Sequence, residues 1–439
     1  MFTYPNELVS QTRKAWKAGK LFEKAYVPSL PGDKVLNRLL EVSYHASFLT
    51  EESRKIGFRI VFGLKSEVLS EQQRHPSLGT HPEITLIQFQ RSRTFNEKEI
   101  LRLAPATDPT NVLICVGTIK NTEELEIWGL IDAGKSWWSF LTGDSDSAKF
   151  PPNLLTISVA EPGNLTISRQ GIVLIHLRNG NLLHSTRTIG GVLFAGPIGD
   201  FFSPATKQIY TDVGTRLNST DQKEGIEYVR YLQRLIFRIR ASSHGGTLIV
   251  VPDSFTPNDP ALKNKLIIKY PCIYDRVWDL LVNKIVHHHK YYELYFRLRD
   301  EKDAIVPQLF RDVMDARETG GQIDEALSDS VKFLAVLSNI DGAVVITDRL
   351  RLLGFGAEVI VPSVGLDRIM ISKDEFGETG DLVDIEMFGT RHRSAMRFCN
   401  ACEWAIAFVL SQDGGVKVIK KQGEKLIMWQ DIRWGLFGF

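Results

Sequence analysis

The stretch EGIEYVRYLQRLIFRIRASSHGGTLIVV, Glu224 to Val251, decides the fold. Ile226, Val229, Leu232, Leu235, Ile236 and Ile239 recur at helical spacing, which predicts a long amphipathic helix over Glu224 to Ala241. His244-Gly245-Gly246 ends it, and Thr247 to Val251 reads as a short, fully apolar strand. The alternation continues downstream. Tyr274 to Leu298 and Gln322 to Leu337 read as helices. Ala343 to Thr347, Leu350 to Phe355, Trp404 to Leu410 and Val416 to Lys420 read as strands. Strands alternating with helices predict an α/β domain with helices packed on a central sheet.

Upstream the pattern differs. Ser43 to Lys55 reads as a helix, Phe58 to Leu64 and Glu83 to Phe89 as strands, and Phe95 to Ala104 as a short helix. A dense strand region follows: Val112 to Gly117, Leu125 to Ile131, Leu154 to Val159, Leu165 to Ser168, Ile172 to Leu177 and Leu182 to Thr186. Turns such as Glu161-Pro162-Gly163-Asn164 and Asn179-Gly180-Asn181 separate these strands. Residues 1–200 therefore read as a strand-rich α+β domain. Phe201 to Thr220 is polar and turn-rich, so the expected division is 1–200, a linker over 201–221, and 222–439.

A formal net charge of +1 on 439 residues argues against a dominant nucleic-acid groove or a basic membrane-surface protein. With 43% hydrophobic and 24% charged residues, disorder over most of the length is excluded. The richest apolar stretch, Ala343 to Pro362, carries Asp348, Arg349, Arg351 and Glu358, so no transmembrane helix is expected. The basic N-terminus up to Lys24 has no apolar core and no small-residue cleavage site, unlike a secretory signal. Cys115, Cys272, Cys399 and Cys402 are too few for a disulfide scaffold. The expectation is a cytoplasmic protein with reduced thiols and neither a membrane nor a nucleic-acid partner.

Three motifs have plain structural readings. Gly129 to Ser136 fits G-x-x-x-x-G-K-[ST], yet Trp137 to Leu141 runs into Thr142-Gly143-Asp144 where a phosphate loop needs a long helix. A strand and turn explain it better. Cys399-Asn400-Ala401-Cys402 lacks a second ligand pair for zinc and reads as two small apolar thiols. His287-His288-His289 points three ways on a helix, so it cannot share one metal.

The informative pair comes later. Asp341-Gly342-Ala343 immediately precedes an apolar strand, and Gly389-Thr390-Arg391-His392-Arg393 precedes a helix beginning near Ser394. A glycine-threonine turn at a helix N-terminus offers free amides and a hydroxyl to an anion. Arg391 and Arg393 add bidentate donors and His392 a pH-tunable one, which suits a polyphosphate. Asp341 is a hard carboxylate suited to Mg²⁺ or Mn²⁺, and Gly342 would let a ligand approach the backbone. An anion cradle plus a metal carboxylate is the inventory for nucleotidyl transfer.

These two segments resemble the signature motifs of the diadenylate cyclase family. Ser243 to Val251 resembles the family's helix-to-strand passage, Phe333 to Ile340 its helix before the aspartate motif, and Ser411-Gln412-Asp413-Gly414-Gly415 its acidic turn. The resemblance covers Gln222 to the C-terminus. It implies a cyclase-type mixed β-sheet flanked by helices, and condensation of two ATP into cyclic di-AMP with release of two pyrophosphates. By position, Asp341 and Asp413 would hold the metal. Gly342, Ala343, Gly389, Thr390, Arg391, His392 and Arg393 would bind ATP, with Asp341, Arg391, His392 and Arg393 in catalytic roles. One ATP per domain implies a homodimer or higher oligomer with active sites face to face.

The chain departs from the pattern in places. Gln412-Asp413 replaces the usual acidic pair, and Ser394 stands where the family commonly has alanine. Glu358 to Phe388 is longer than usual, and Gly354-Phe355-Gly356-Ala357-Glu358-Val359 replaces the leucine-proline-leucine stretch lining the adenine pocket. These traits resemble a divergent clade with its own N-terminal sensor domain, whose ligand the sequence does not name. The alternative is a nucleotide-binding sensor of the same fold, weak or inactive in turnover.

Overall fold

The computed structural model describes residues 3–18, 28–52, 54–63, 85–109, 111–120, 122–132, 153–169, 172–178, 180–182, 196–217, 224–241, 245–300, 307–362, 365–411 and 415–430. The protein is mixed α/β, and its internal contacts divide the chain after Thr186.

The first unit contains helices α1 (Leu8–Ala18), α2 (Asp33–Ala46) and α3 (Glu97–Leu103). Its strands are β1 (Thr50–Glu51), β2 (Arg54–Lys55), β3 (Phe58–Phe62), β4 (Thr85–Thr94), β5 (Val112–Thr118), β6 (Leu125–Asp132), β7 (Leu155–Val159), β8 (Asn164–Arg169), β9 (Ile172–Arg178) and β10 (Asn181–Leu182). Eight of them form a sheet in the order β10-β9-β8-β7-β3-β5-β6-β4, in which β3 and β5 are the parallel pair. Phe58, Ile60, Ile114, Ile157 and Ile167 pack with Leu36, Leu39 and Leu40 of α2 into one core. The helix expected over Ser43 to Lys55 lies earlier, at α2. That helix buries its apolar face and stops at Ser47, after which Glu52, at φ 47°, turns β1 back onto β2. The phosphate-loop match is strand over Gly129–Asp132, and its remaining residues lie outside those described.

The second unit contains α4 (Gly196–Leu217), α5 (Glu224–Ala241), α6 (Pro260–Lys263), α7 (Arg276–Asp300), α8 (Pro307–Val336) and α9 (Thr390–Ala401). Its strands are β11 (Gly246–Val251), β12 (Leu266–Tyr274), β13 (Ala343–Thr347), β14 (Leu352–Val359), β15 (Arg368–Ser372), β16 (Gly380–Asp384), β17 (Ile406–Leu410), β18 (Val416–Gln422) and β19 (Lys425–Trp429). They form a mixed sheet, β12-β14-β13-β11-β17-β18-β19-β15-β16, parallel at β11/β13 and at β15/β19. One face, with Ile249, Val345, Ala407 and Ile419, packs under Ala395, Met396, Phe398 and Cys399 of α9. On the other face Phe408 meets Phe202 of α4, and Phe202 meets Tyr228 of α5. Helices thus cover both faces.

Over 201–217 the expected linker is corrected: Gly196–Leu217 is one helix, which buries Phe202, Ala205, Ile209 and Val213, while 218–221 lie outside the described residues. Ser203, Pro204, Thr211 and Gly214 make it a weak helix by intrinsic preference, so packing holds it rather than propensity. The extra length between the two motifs is used by the hairpin β15–β16, which closes the far edge of the sheet.

Candidate active site

Strand register places the motif residues. Ala343 pairs with Thr247, Thr247 with Val409, and Val409 with Lys417. These four residues form one row across β13, β11, β17 and β18. Two steps beyond it stand Asp341, Gly245, Ser411 and Gly415, all at one edge of the sheet. Ser411 N–H donates to the Gly415 carbonyl at 2.9 Å, which ties the end of β17 to the start of β18. Asp413 itself lies outside the described residues, as do Ser243 and His244.

The second motif reaches the same edge by another route. α9 ends at Ala401, and the turn through Cys402 to Ala405 delivers the chain to Ile406, at the opposite end of the sheet. The helix therefore runs back along β17. Two contacts fix its level. Cys399 Sγ donates to the Ile419 carbonyl at 3.3 Å, and Ile419 is paired with Ala407. The Lys417 ammonium sits 5.4 Å from the Phe388 ring centre, and Lys417 belongs to the row of Ala343. Gly389 and Thr390 thus begin α9 at the end of the sheet where Asp341 emerges.

The electrostatics of this helix start are unusual. Gly389 is an extended N-cap without a side-chain cap bond, and the first turn holds no acidic residue. The first helical bond runs from Arg393 N–H to the Gly389 carbonyl at 3.1 Å, so the amides of Thr390, Arg391 and His392 precede the ladder. Helix α3 shows the ordinary solution. There the Asn96 side chain accepts from Glu99 N–H, with Glu97 and Glu99 in the first turn. α9 instead places Arg391 and Arg393 where the helix dipole favours negative charge. Arg391 is exposed, Arg393 is ion-paired with Glu386, and the His392 ring lies 6.0 Å from that of Phe388. A helix start of this kind suits an anion.

Gly342 departs from expectation. It has φ +116°, and a Cβ there would fall 2.5 Å from the carbonyl carbon of Gly356. The close backbone approach that selects glycine is made by β14 of the chain itself. Cys399 and Cys402 are buried thiols, with Cys399 pushed far up by burial, and no group of three metal-ligating side chains occurs among the described residues. The histidine run lies on α7.

At the opposite edge, beyond the C-terminal ends of β11 and β13, is a cluster the sequence reading missed. The Asp253 carboxylate accepts from Thr347 Oγ1 at 2.9 Å and faces Arg351 at 3.1 Å and Arg349 at 3.5 Å. Arg351 also donates to the carbonyls of Asp253 and Phe255. The chain's own ion pairs close this end, although ligands often enter parallel strands there. An aspartate two residues past one strand and Thr-Asp-Arg-Leu-Arg starting at the last residue of the next were the available signals.

Among the described residues no helix is long and apolar enough to cross a membrane. No curated protein and no solved structure matches the chain. Residues 26–132 match the family described as "Probable sensor domain DACNV", a domain found in diadenylate cyclases.

Proposed function

We propose that the chain is a diadenylate cyclase, a nucleotidyltransferase that condenses two ATP into cyclic di-AMP and two pyrophosphates under the control of its N-terminal domain. The observation that carries this reading is the start of α9: a helix N-terminus without a side-chain cap, bearing Arg391 and Arg393, at the sheet edge where Asp341 emerges. The sensor-domain match upstream adds support.

The residues present fit a hard divalent ion. Asp341 is an exposed carboxylate, and Mg²⁺ commonly takes only one or two protein carboxylates together with substrate phosphates. Bound there, Mg²⁺ or Mn²⁺ would neutralise phosphate charge and acidify the ribose 3′-hydroxyl. The chain's own work is positioning. Amides of Thr390, Arg391 and His392 and the Arg391 guanidinium would hold the phosphates. Arg393, oriented by Glu386, would add charge as pyrophosphate departs. Each domain holds one ATP, so two copies must face each other.

The test is incubation with ATP and Mn²⁺ or Mg²⁺, followed by chromatography and mass spectrometry. Cyclic di-AMP from the wild type, absent for Asp341→Asn although ATP still binds, is the expected result. Gln412 in place of an acidic residue favours a second reading, binding without turnover. ATP binding with no dinucleotide from the wild type would select it.

A further inference from the structure

Helices α7 and α8 pack along each other as an antiparallel hairpin that outreaches the sheet beside it. With 25 and 30 residues they are roughly 37 and 45 Å long, against roughly 20 Å for the 6 residues of β11. The near half of the hairpin is anchored. Trp278 donates to Asp212 of α4, Lys284 to Tyr231 of α5, Arg238 of α5 to Ser328, and Tyr274 of β12 to Ser330. Beyond Ile285, α7 has no buried residue.

The far half has two unlike sides. Tyr291, Leu294 and Leu298 of α7 and Leu309, Val313 and Ala316 of α8 are its shielded apolar residues and recur at helical spacing, so they form the seam. At about 100° per residue, Tyr292, Tyr295 and Phe296 centre roughly 115° past the seam on α7, and Phe310 and Met314 roughly 115° past it on α8. Antiparallel helices turn in opposite senses, so both sets lie on one side of the hairpin. All five are exposed, from 40% at Tyr292 to 44% at Phe296. Ring centroids 5.9 Å apart link Tyr292 to Phe296, and 5.8 Å apart link Tyr295 to Phe296. The reverse side carries Lys290, Arg297, Asp312 and Asp315. An apolar side this large, on a hairpin otherwise charged, marks a contact surface.

We propose that this side pairs with the same side of a second copy, α7 of one chain over α8 of the other, so that two hairpins make a four-helix bundle. Size and charge favour that occupant. Five residues of roughly 200 Å² each, about two-fifths exposed, offer about 400 Å² per copy and about 800 Å² across the pair. Flanking side chains such as Arg299 and Arg317 bring this to the roughly 1,000 Å² that a specific interface needs. A two-fold axis along the hairpin sets the outer edge of α7 beside the partner's outer edge of α8. Near the connection those edges carry Glu293 and Asp300 on α7 and Arg311 on α8. Each chain therefore brings both signs, and the axis uses the match twice. Asp300 also pairs with Arg299 of its own helix. The proposal does not depend on the cyclase reading.

The test is sedimentation velocity on the full-length chain without nucleotide. A dimer is expected at micromolar concentration. Tyr292→Ser combined with Phe296→Ser, at exposed positions where circular dichroism should stay unchanged, should weaken it at least about tenfold. Arg311→Glu in one chain, and Glu293→Arg with Asp300→Arg in another, should each weaken self-association. A one-to-one mixture of those two variants should form a heterodimer, because every edge pair is then opposite in sign. Wild-type protein that stays monomeric up to about 100 µM overturns the proposal and leaves the surface to another protein or a membrane. A dimer unchanged in the aromatic variant, or charge variants without preference for each other, overturns it by placing the contact elsewhere. Cyclase activity is read separately with ATP.

Discussion

The backbone of Gly342 rests on that of Gly356. At φ +116°, Gly342 adopts a conformation that other residues rarely take, and a Cβ on it would lie 2.5 Å from the Gly356 carbonyl carbon and 2.8 Å from the Ala357 nitrogen. Both neighbours are backbone atoms of β14 and cannot rotate away. The contact seats the Asp341 turn against β14.

Gly342→Ala should therefore lower the melting temperature, with a penalty of about 2 kcal/mol or more and a shift of roughly 5 °C. Gly320→Ala in α8 is the matched control. A Cβ there meets nothing within 4 Å, and alanine favours the helix. Thermal unfolding followed by circular dichroism reads both. Equal melting temperatures for the two variants would show that β14 yields to the Cβ.

Arg391 opposes the dipole of the helix it begins, so function and stability should separate there. Arg391→Glu should keep or raise the melting temperature, by about 1–2 °C, while weakening ATP binding at least about tenfold. Parallel thermal and calorimetric titrations check it. A variant that loses stability and ATP binding together would make Arg391 a structural residue.

The two motifs were legible because each is continuous in sequence and sits at a strand or helix start. What α9 does with its motif was not legible, since only register shows that Thr390 and Asp341 share one end of the sheet. β12 escaped because it is an edge strand interrupted by Pro271, and β16 because Gly380, Asp381 and Asp384 make it polar and largely exposed. α4 escaped because burial, not propensity, holds it.

That last point is testable. Phe202 is fully buried, with ring centroids 4.9 Å from Phe201 and 6.4 Å from both Tyr228 and Phe408. Phe202→Ala should destabilise the second unit by about 3–5 kcal/mol, seen as a lower guanidinium midpoint. An unchanged midpoint would mean that residues 196–217 are dispensable for the fold, as a linker would be.

Asp348 gives a pH signature. Burial raises its carboxyl to about 6, the Asp253 charge adds to this, and Arg349 and backbone bonds oppose it. Its folded value lies above the unfolded 3.8, so between these values the folded state holds more protons. Stability from this group is present below about pH 4 and is lost as pH rises through about 6. Asp348→Asn removes the titration. Relative to wild type, the variant should gain stability as pH rises from 4 to 7, by an amount on the order of 2 kcal/mol. Urea unfolding at several pH values measures the difference, and a constant offset between the two proteins across that range would place the ionisation of Asp348 elsewhere.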